Sequence, residues 1–81
     1  MGQATIPEQL DRLFSGKRPA PDFMGITVDR ARSRAAAKQI PLRELVVDPE
    51  GRFEQALTLD LRPGRLNVVV ARGVVVRAGY F

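Results

Sequence analysis

A change of hydrophobic period at Pro41 divides the middle of this sequence into a helix-forming part and a strand-forming part. Before Pro41, an Ala-rich run follows Thr27, a residue type that caps helix N-termini well, and continues to Lys38 or Gln39. The apolar positions of this run recur at helical spacing and form a narrow stripe: Val28, Ala31 and Ala35. We therefore predict one helix over this run, ended by the proline.

Downstream of the helix, the pattern predicts about three strands. Leu42 to Val47 form a mostly apolar run that stops at the turn residues 48–51. Leu66 to Val70 show apolar residues at alternate positions, which is typical of a strand. A turn at 71–73 leads to a third strand at Val74 to Arg77, so the last two strands form a hairpin. The expected fold class is α+β, with one helix packed on a small mixed sheet.

Residues 1–20 are expected to form a mobile tail in front of a domain that spans residues 21–81. Residues 6–15 can form a short helix, which is too short to be stable alone. Its apolar face consists of Leu10, Leu13 and Phe14. The prolines in residues 16–22 disfavour helix and indicate an extended linker.

Size and hydropathy predict a single small domain. With 81 residues, folding buries only ~60% of the surface that the unfolded chain exposes, so the core must be small. No stretch reaches the roughly 20 apolar residues of a membrane-spanning helix, and the first residues lack the apolar core of a signal peptide. We expect a soluble, cytoplasmic protein that does not bind membranes, or a secreted one if a signal was removed upstream.

The sequence contains neither cysteine nor histidine. Thiol nucleophiles, imidazole bases, disulfides and Cys/His metal sites are therefore excluded. Ser15 and Ser33 have no base motif near them, and the acidic residues are scattered singly. We expect no enzymatic activity, no small-molecule substrate, no cofactor and no metal.

Positive charge is concentrated in the first half of the chain. Residues 1–43 hold eight lysines or arginines against four acidic residues, whereas residues 44–81 hold five against five, so the net charge of +4 belongs to the first half. Arg30, Arg34 and Lys38 recur at helical spacing as a basic outer face of the predicted helix. A solvated helix surface is favoured over phosphate contact. Because the aromatic residues do not alternate with these cations, nucleic acid is not the expected partner.

The connection from Arg52 to Gly64 is long for so small a domain, and such connections tend to be functional. Its middle, Ala56 to Arg62, carries several apolar side chains with no evident partner. An ordinary edge strand that continues a hairpin through residues 48–51 explains this pattern equally well. The hydrophobic pattern alone leaves both interpretations open.

Three stretches, in order along the chain, match motifs of one protein family. They are Pro21 to Ala31 at the entry into the helix, Val46 to Gly51 at the end of the first strand, and Thr58-Leu59-Asp60-Leu61-Arg62 followed by Arg65-Leu66-Asn67-Val68. Over residues 21–79 the sequence resembles the potato inhibitor I family of serine-protease inhibitors, the eglin-like proteins. It is most similar to the bacterial and fungal members. It departs from the family pattern in four ways. It has a longer segment between Gly51 and Thr58 and two residues beyond Gly79, it lacks the disulfide that the bacterial members often carry, and it shows no export signal although the family's targets are largely extracellular.

The resemblance implies an inhibitor of subtilisin-like or chymotrypsin-like serine proteases that acts through a substrate-like reactive loop. The scissile bond would be Leu59-Asp60, with Leu59 in the S1 pocket of the protease. The loop that binds the protease would consist of Leu57, Thr58, Leu59, Asp60, Leu61 and Arg62. The implied partner is a serine protease, and we expect the inhibitor to be a monomer.

The resemblance also implies that Arg65 and Asn67 support the loop. Residues two apart on a strand share a face, so both can point at the loop while Leu66 and Val68 enter the core. The alternative is that Arg65 and Asn67 are solvated positions on an edge strand. At the level of function, the alternative is a non-inhibitory module that binds another protein or nucleic acid.

Overall fold

The helix and the strands that the hydrophobic periods predict are present in a computed structural model, which describes residues 12–48, 50, 52, 62 and 64–81. The elements are β1 (Arg18–Pro19), a 3₁₀ turn (Pro21–Phe23), α1 (Val28–Ala37), β2 (Leu42–Val47), β3 (Leu66–Ala71) and β4 (Val74–Tyr80). The strands form one sheet in the order β1-β4-β3-β2, in which β2 and β3 run parallel and the other neighbours antiparallel. The described chain is therefore a small α+β structure, with one main helix on a four-stranded mixed sheet.

Helix α1 is capped at both ends. At its start, the hydroxyl oxygen of Thr27 accepts a hydrogen bond from the backbone N–H of Arg30 at 3.2 Å. At its end, Gln39 takes a left-handed conformation with φ of 56°, and the N–H of Ile40 donates to the carbonyl oxygen of Ala35 at 2.9 Å. This is the Schellman arrangement, which satisfies carbonyl groups that the helix end leaves without partners. The predicted start of the helix after Thr27 is confirmed, and its last residue is Ala37, one or two residues before the predicted end at Lys38 or Gln39.

The narrow apolar stripe of α1 faces the sheet. Ala31 is 0% exposed and Ala35 is 2% exposed, and both belong to the main core. Because these side chains are small, the helix backbone can approach the sheet closely.

In the described part of the chain, no helix is long and apolar enough to cross a membrane.

The predicted hairpin is also confirmed. β3 and β4 are joined by Arg72 and Gly73, which have φ angles of 53° and 77°. Two consecutive positive φ values are typical of a type I′ turn, whose twist suits a two-residue hairpin. β4 continues to Tyr80, three residues beyond the predicted end at Arg77, because its last residues pair with both β3 and β1.

The fourth strand comes from the segment that the sequence predicts to be a tail. Arg18 and Pro19 pair with Tyr80 and Gly79 of β4, and Phe14 packs against the sheet. Residues 12–20 therefore lie against the domain that was expected to begin at residue 21, whereas residues 1–11 lie outside the described residues. A proline is tolerated here because β1 is the edge strand, where the missing N–H costs no ladder bond.

Both faces of the sheet are covered. On the helix face, α1 and the 3₁₀ turn cover a core that includes Leu66, Val68 and Val70 of β3. On the opposite face, which we call the far face, a smaller cluster contains Leu45, Val47 and Val69, with Leu13, Phe14 and Val76 packed around them. As a result, five consecutive residues of β3, Leu66 to Val70, are buried. The predicted entry of Leu66 and Val68 into the core is confirmed.

An ion pair joins α1 to β2 on the helix face. The guanidinium of Arg32 donates two hydrogen bonds to the carboxylate of Glu44, at 2.7 and 2.8 Å, and a third to Asp29 at 3.2 Å. The hydrogen bond from Arg32 lowers the pKa of Glu44, against the opposing effect of partial burial. One cation of the helix is therefore neutralised within the molecule.

Replacing Glu44 by Gln should lower the melting temperature at pH 7 by about 2 to 4 °C, because a two-bond ion pair is lost at a partly exposed site. Folding lowers the pKa of Glu44, so its stabilising effect is complete above the unfolded-state pKa of about 4.3 and disappears as the pH falls through the lower folded value. Melting curves from pH 7 downwards should therefore converge for wild type and Glu44→Gln. In an Arg32→Gln background the substitution should have little effect at pH 7. A pH-independent difference would contradict the ion pair as its cause.

Candidate functional site

The predicted loop-supporting residues lie at the start of β3. Asn67 is the second residue of the strand, its parallel partner on β2 is Arg43, and its antiparallel partner on β4 is Gly79. By alternation Asn67 shares the far face with Val69, away from α1. Arg65 directly precedes the strand and lies two residues before Asn67, so alternation puts it on the same face as Asn67 and Val69.

Asn67 is completely buried, at 0% exposure. Its side-chain nitrogen donates to the main-chain oxygen of Phe81 at 2.9 Å, and its side-chain oxygen accepts from Nε of Arg43 at 2.6 Å. The amide thus has opposite partners at its two ends, which fixes its orientation. Because β3 lies between β2 and β4 in the sheet, the alternative of a solvated edge position is wrong for Asn67.

Phe81 closes the far face next to Asn67. Its side chain is 8% exposed, and its ring meets the ring of Phe14 edge to face, with centroids 5.2 Å apart and planes at 87°. Gly79 makes room for this contact, since a Cβ there would lie 2.9 Å from Cδ2 of Phe14 and 3.1 Å from the carbonyl oxygen of Arg18. The residues beyond Gly79, which depart from the family pattern, are thus part of the packed structure.

Two cations lie over the ring of Phe81. The guanidinium carbon of Arg43 is 5.8 Å from the ring centroid, and Nζ of Lys17 is 5.7 Å from it. An aromatic face attracts such cations through its quadrupole.

The sequence analysis did not identify Arg43, because its position opposite Asn67 depends on the parallel register of two strands far apart in the chain.

Arg65 marks the entry into β3. The residue is half-buried and its Nε atom is shielded from solvent. Its backbone N–H donates to the carbonyl oxygen of Arg62 at 2.8 Å, and the N–H of Leu66 donates to the carbonyl oxygen of Pro41 at 2.8 Å. The chain is therefore fixed in direction where the connection joins the sheet.

The other end of the connection is fixed by Asp48, which directly follows β2. Its carboxylate accepts from the backbone N–H groups of Glu50 and Arg52, both at 2.9 Å, and its own N–H donates to the carbonyl oxygen of Arg52 at 2.8 Å. An aspartate that bonds the backbone ahead of it is typical of an Asx-turn. This turn was predicted at residues 48–51.

The residues predicted to form the reactive loop lie mostly outside the described residues. This applies to Leu57, Thr58, Leu59, Asp60 and Leu61. Arg62 is described and exposed. The structure therefore brings Arg65 and Asn67 to one end of β3 and describes both anchors of the connection, while the predicted scissile bond stays a prediction.

The described part of the site shows no metal-binding cluster. Among the described residues, no three carboxylates lie close enough together to hold a metal ion. No protein-family model matches the chain, and no curated protein matches it.

Replacing Asn67 by Ala should reduce the free energy of unfolding by about 2 to 3 kcal/mol, because the buried main-chain oxygen of Phe81 and Nε of Arg43 both lose their partner. Asn67→Asp should also destabilise, since it keeps an acceptor for Arg43 but has no donor for Phe81. Ser33→Ala on the exposed surface of α1 is the control and should change stability by less than about 0.5 kcal/mol. Urea unfolding measures all three. Equal stability of Asn67→Ala and the control would show that the buried amide is dispensable.

Proposed function

We propose that this protein is an inhibitor of subtilisin-like or chymotrypsin-like serine proteases, not an enzyme, and that it has a potato inhibitor I-like fold. In this proposal, Leu57 to Arg62 bind the protease as a substrate would, Leu59 enters the S1 pocket, and Leu59-Asp60 is the scissile bond. Arg65 and Asn67 support the loop. The partner is a serine protease, bound by a monomer without cofactor or metal.

The observation that carries the proposal is the position of Arg65 and Asn67. The sequence motif requires two polar side chains behind the loop, and in the structure both lie where the connection enters the sheet, with Nε of Arg65 shielded from solvent and Asn67 completely buried. The orientation of Asn67 is set by Arg43 and Phe81, which leaves one N–H of its amide for the loop. A guanidinium next to it can hold a hydroxyl and a carboxylate together, which are the groups of Thr58 and Asp60.

The arrangement of the strands also supports the proposal. Parallel neighbours such as β2 and β3 need a connection that returns along the length of the strands, and in most proteins this is a helix. Six paired residues correspond to roughly 20 Å of strand at ~3.3 Å per residue. Here the connection contains the reactive-loop motif, and both of its ends are tied to the sheet by Asp48 and Arg65. Anchors at both ends are what a preorganised loop needs.

Inhibition by such a loop has two physical parts. A loop held in the extended shape of a substrate loses little conformational entropy on binding, so it binds more tightly than a free peptide. After cleavage, supports that keep the new amino group close to the acyl-enzyme give it a very high effective concentration, so the peptide bond re-forms in competition with hydrolysis. Arg65 and Asn67 would act in both parts.

The alternative is a non-inhibitory module in which the basic face of α1 binds a protein or nucleic acid. Two contacts weaken the nucleic-acid form of this alternative. Arg32 is bound to Glu44, and the guanidinium of Arg34 donates to the carbonyl oxygen of Asp22. These contacts reduce the number of cations on the helix that can reach successive phosphates.

Replacing Leu59 by Asp should weaken inhibition of subtilisin and chymotrypsin by at least about a hundredfold, because interfaces concentrate their energy in one buried anchor. Leu59→Arg should move inhibition towards trypsin, which accepts basic side chains. Leu59→Met, which keeps an apolar side chain of similar size, is the matched control and should remain inhibitory. Titration of each protease with each variant gives the dissociation constants. Equal inhibition by wild type and Leu59→Asp would remove Leu59 from this role.

Replacing Arg65 by Ala should leave the fold intact but make inhibition temporary. Hydrogen bonds to charged groups contribute ~1.5 to 3 kcal/mol each, so loss of one should speed hydrolysis of Leu59-Asp60 by about ten- to a hundredfold. Arg72→Ala in the exposed β3-β4 turn removes the same side chain and should behave as wild type. Residual protease activity during a long incubation, with mass spectrometry of the inhibitor, measures the effect. If wild type is itself cut rapidly at this bond, the inhibitor proposal fails, and if Arg65→Ala lasts as long as wild type, the support lies elsewhere.

A further inference from the structure

The positive charges of the chain are unevenly neutralised. Arg32 is paired with Glu44 and Asp29, and Arg52 is paired with Asp48 and Glu50. In contrast, no carboxylate of the described residues lies within ion-pair distance of three cations on the helix-face side: Arg18, Arg34 and Lys38. Arg18 and Lys38 line one groove, and Arg34 lies over the ring of Phe23, another residue of its lining.

The groove lies between β1, the 3₁₀ turn and the end of α1. Its volume is about 230 Å³, which suits a small ligand. Arg18 and Lys38 line it together with the rings of Phe23 and Tyr80, and Asp22 is the one acid on its wall. The prolines on either side of Ala20 have no backbone N–H, so the side-chain donors of the lining are the two cations and the phenol of Tyr80.

Aromatic rings hold these cations in place. The guanidinium carbon of Arg18 is 4.7 Å from the ring centroid of Tyr80. Nζ of Lys38 is 6.0 Å and the guanidinium carbon of Arg34 is 5.8 Å from the ring centroid of Phe23. Arg34 also donates to the carbonyl oxygen of Asp22, which ties the 3₁₀ turn to α1. A cation held over a ring loses less conformational freedom when it binds an anion, so less of the binding energy is spent on ordering it.

We infer that this groove binds a phosphoryl group, either inorganic phosphate or the phosphate of a small monoester. A guanidinium and an ammonium that converge on one groove match a doubly charged anion with several acceptor oxygens. The two cations of the lining exceed the single carboxylate of Asp22, and Arg34 adds a third positive charge 5.8 Å from the ring centroid of Phe23, so the groove is electropositive. The groove is separate from Asn67 and Phe81, because Phe23 and Tyr80 of its lining belong to the core on the helix face, whereas Asn67 and Phe81 lie on the far face.

The test is a titration of the full chain, labelled with ¹⁵N, with sodium phosphate and in a second arm with glycerol 2-phosphate, both at constant ionic strength. Saturable shifts should be confined to the backbone N–H groups of the lining residues and to the side-chain Nε–H of Arg18; the backbone groups are those of Arg18, Ala20, Asp22, Phe23, Lys38 and Tyr80. A double variant, Arg18→Gln with Lys38→Gln, should bind at least about tenfold more weakly. The matched control is Arg30→Gln with Arg72→Gln, which removes two exposed cations elsewhere and should bind as wild type.

Several outcomes would overturn the inference. One is a set of shifts that grow linearly with phosphate and do not saturate, and another is an equal loss of phosphate affinity in the control variant. A third is binding of a single-stranded oligonucleotide with shifts that extend to Arg30, which would favour the nucleic-acid alternative. If saturation occurs with phosphate alone, the ligand is the free ion, whereas tighter binding of the monoester indicates an ester. Should the double variant alter amide shifts far from the groove, the single variant Lys38→Gln, at an exposed position, decides the question.

Discussion

The buried side-chain amide of Asn67 connects three parts of the chain that are distant in sequence. Through Arg43 it reaches β2, through its own backbone it belongs to β3, and through Phe81 it holds the segment that follows β4. An amide in a dry interior is costly unless its donor and acceptor are both used. Because its partners come from different strands, the pairing of β2 with β3 and the packing of Phe81 must be correct together. The far face of the sheet depends on this one residue.

The elements that periodicity could predict are those whose signal is local. Thr27 as cap, the Ala stripe of α1 and the Arg72-Gly73 turn are each readable within a few residues, and each was found where it was expected. β1 could not be predicted in this way. It has two residues, one of them a proline. It forms a strand only because it pairs with the edge of β4, which is distant in sequence. The same reason explains Phe14, whose contact with Gly79 and Phe81 requires the finished sheet.

In the candidate site, too, the features with a local sequence signal could be predicted and those that depend on distant residues could not. Alternation along β3 was enough to place Asn67 on the face opposite Leu66 and Val68, and that placement is what the structure has. Its burial could not be read from the sequence, because it results from Arg43 across a parallel register and from Phe81 at the end of β4. A polar residue in a predicted strand is usually taken as a mark of the solvent side. Here the polar residue is interior, and its partners are the residues that the sequence analysis did not single out.

The excess positive charge of the first half of the chain is divided by the sheet between two opposite sides. Lys17 and Arg43 lie over Phe81 on the far face, whereas Arg34 and Lys38 lie over Phe23 of the core on the helix face. Because packed layers are about 10 Å apart, a small ligand that contacts one group does not reach the other. These cations thus form two groups on opposite sides of the sheet, one over Phe81 beside Asn67 and one over Phe23 at the groove.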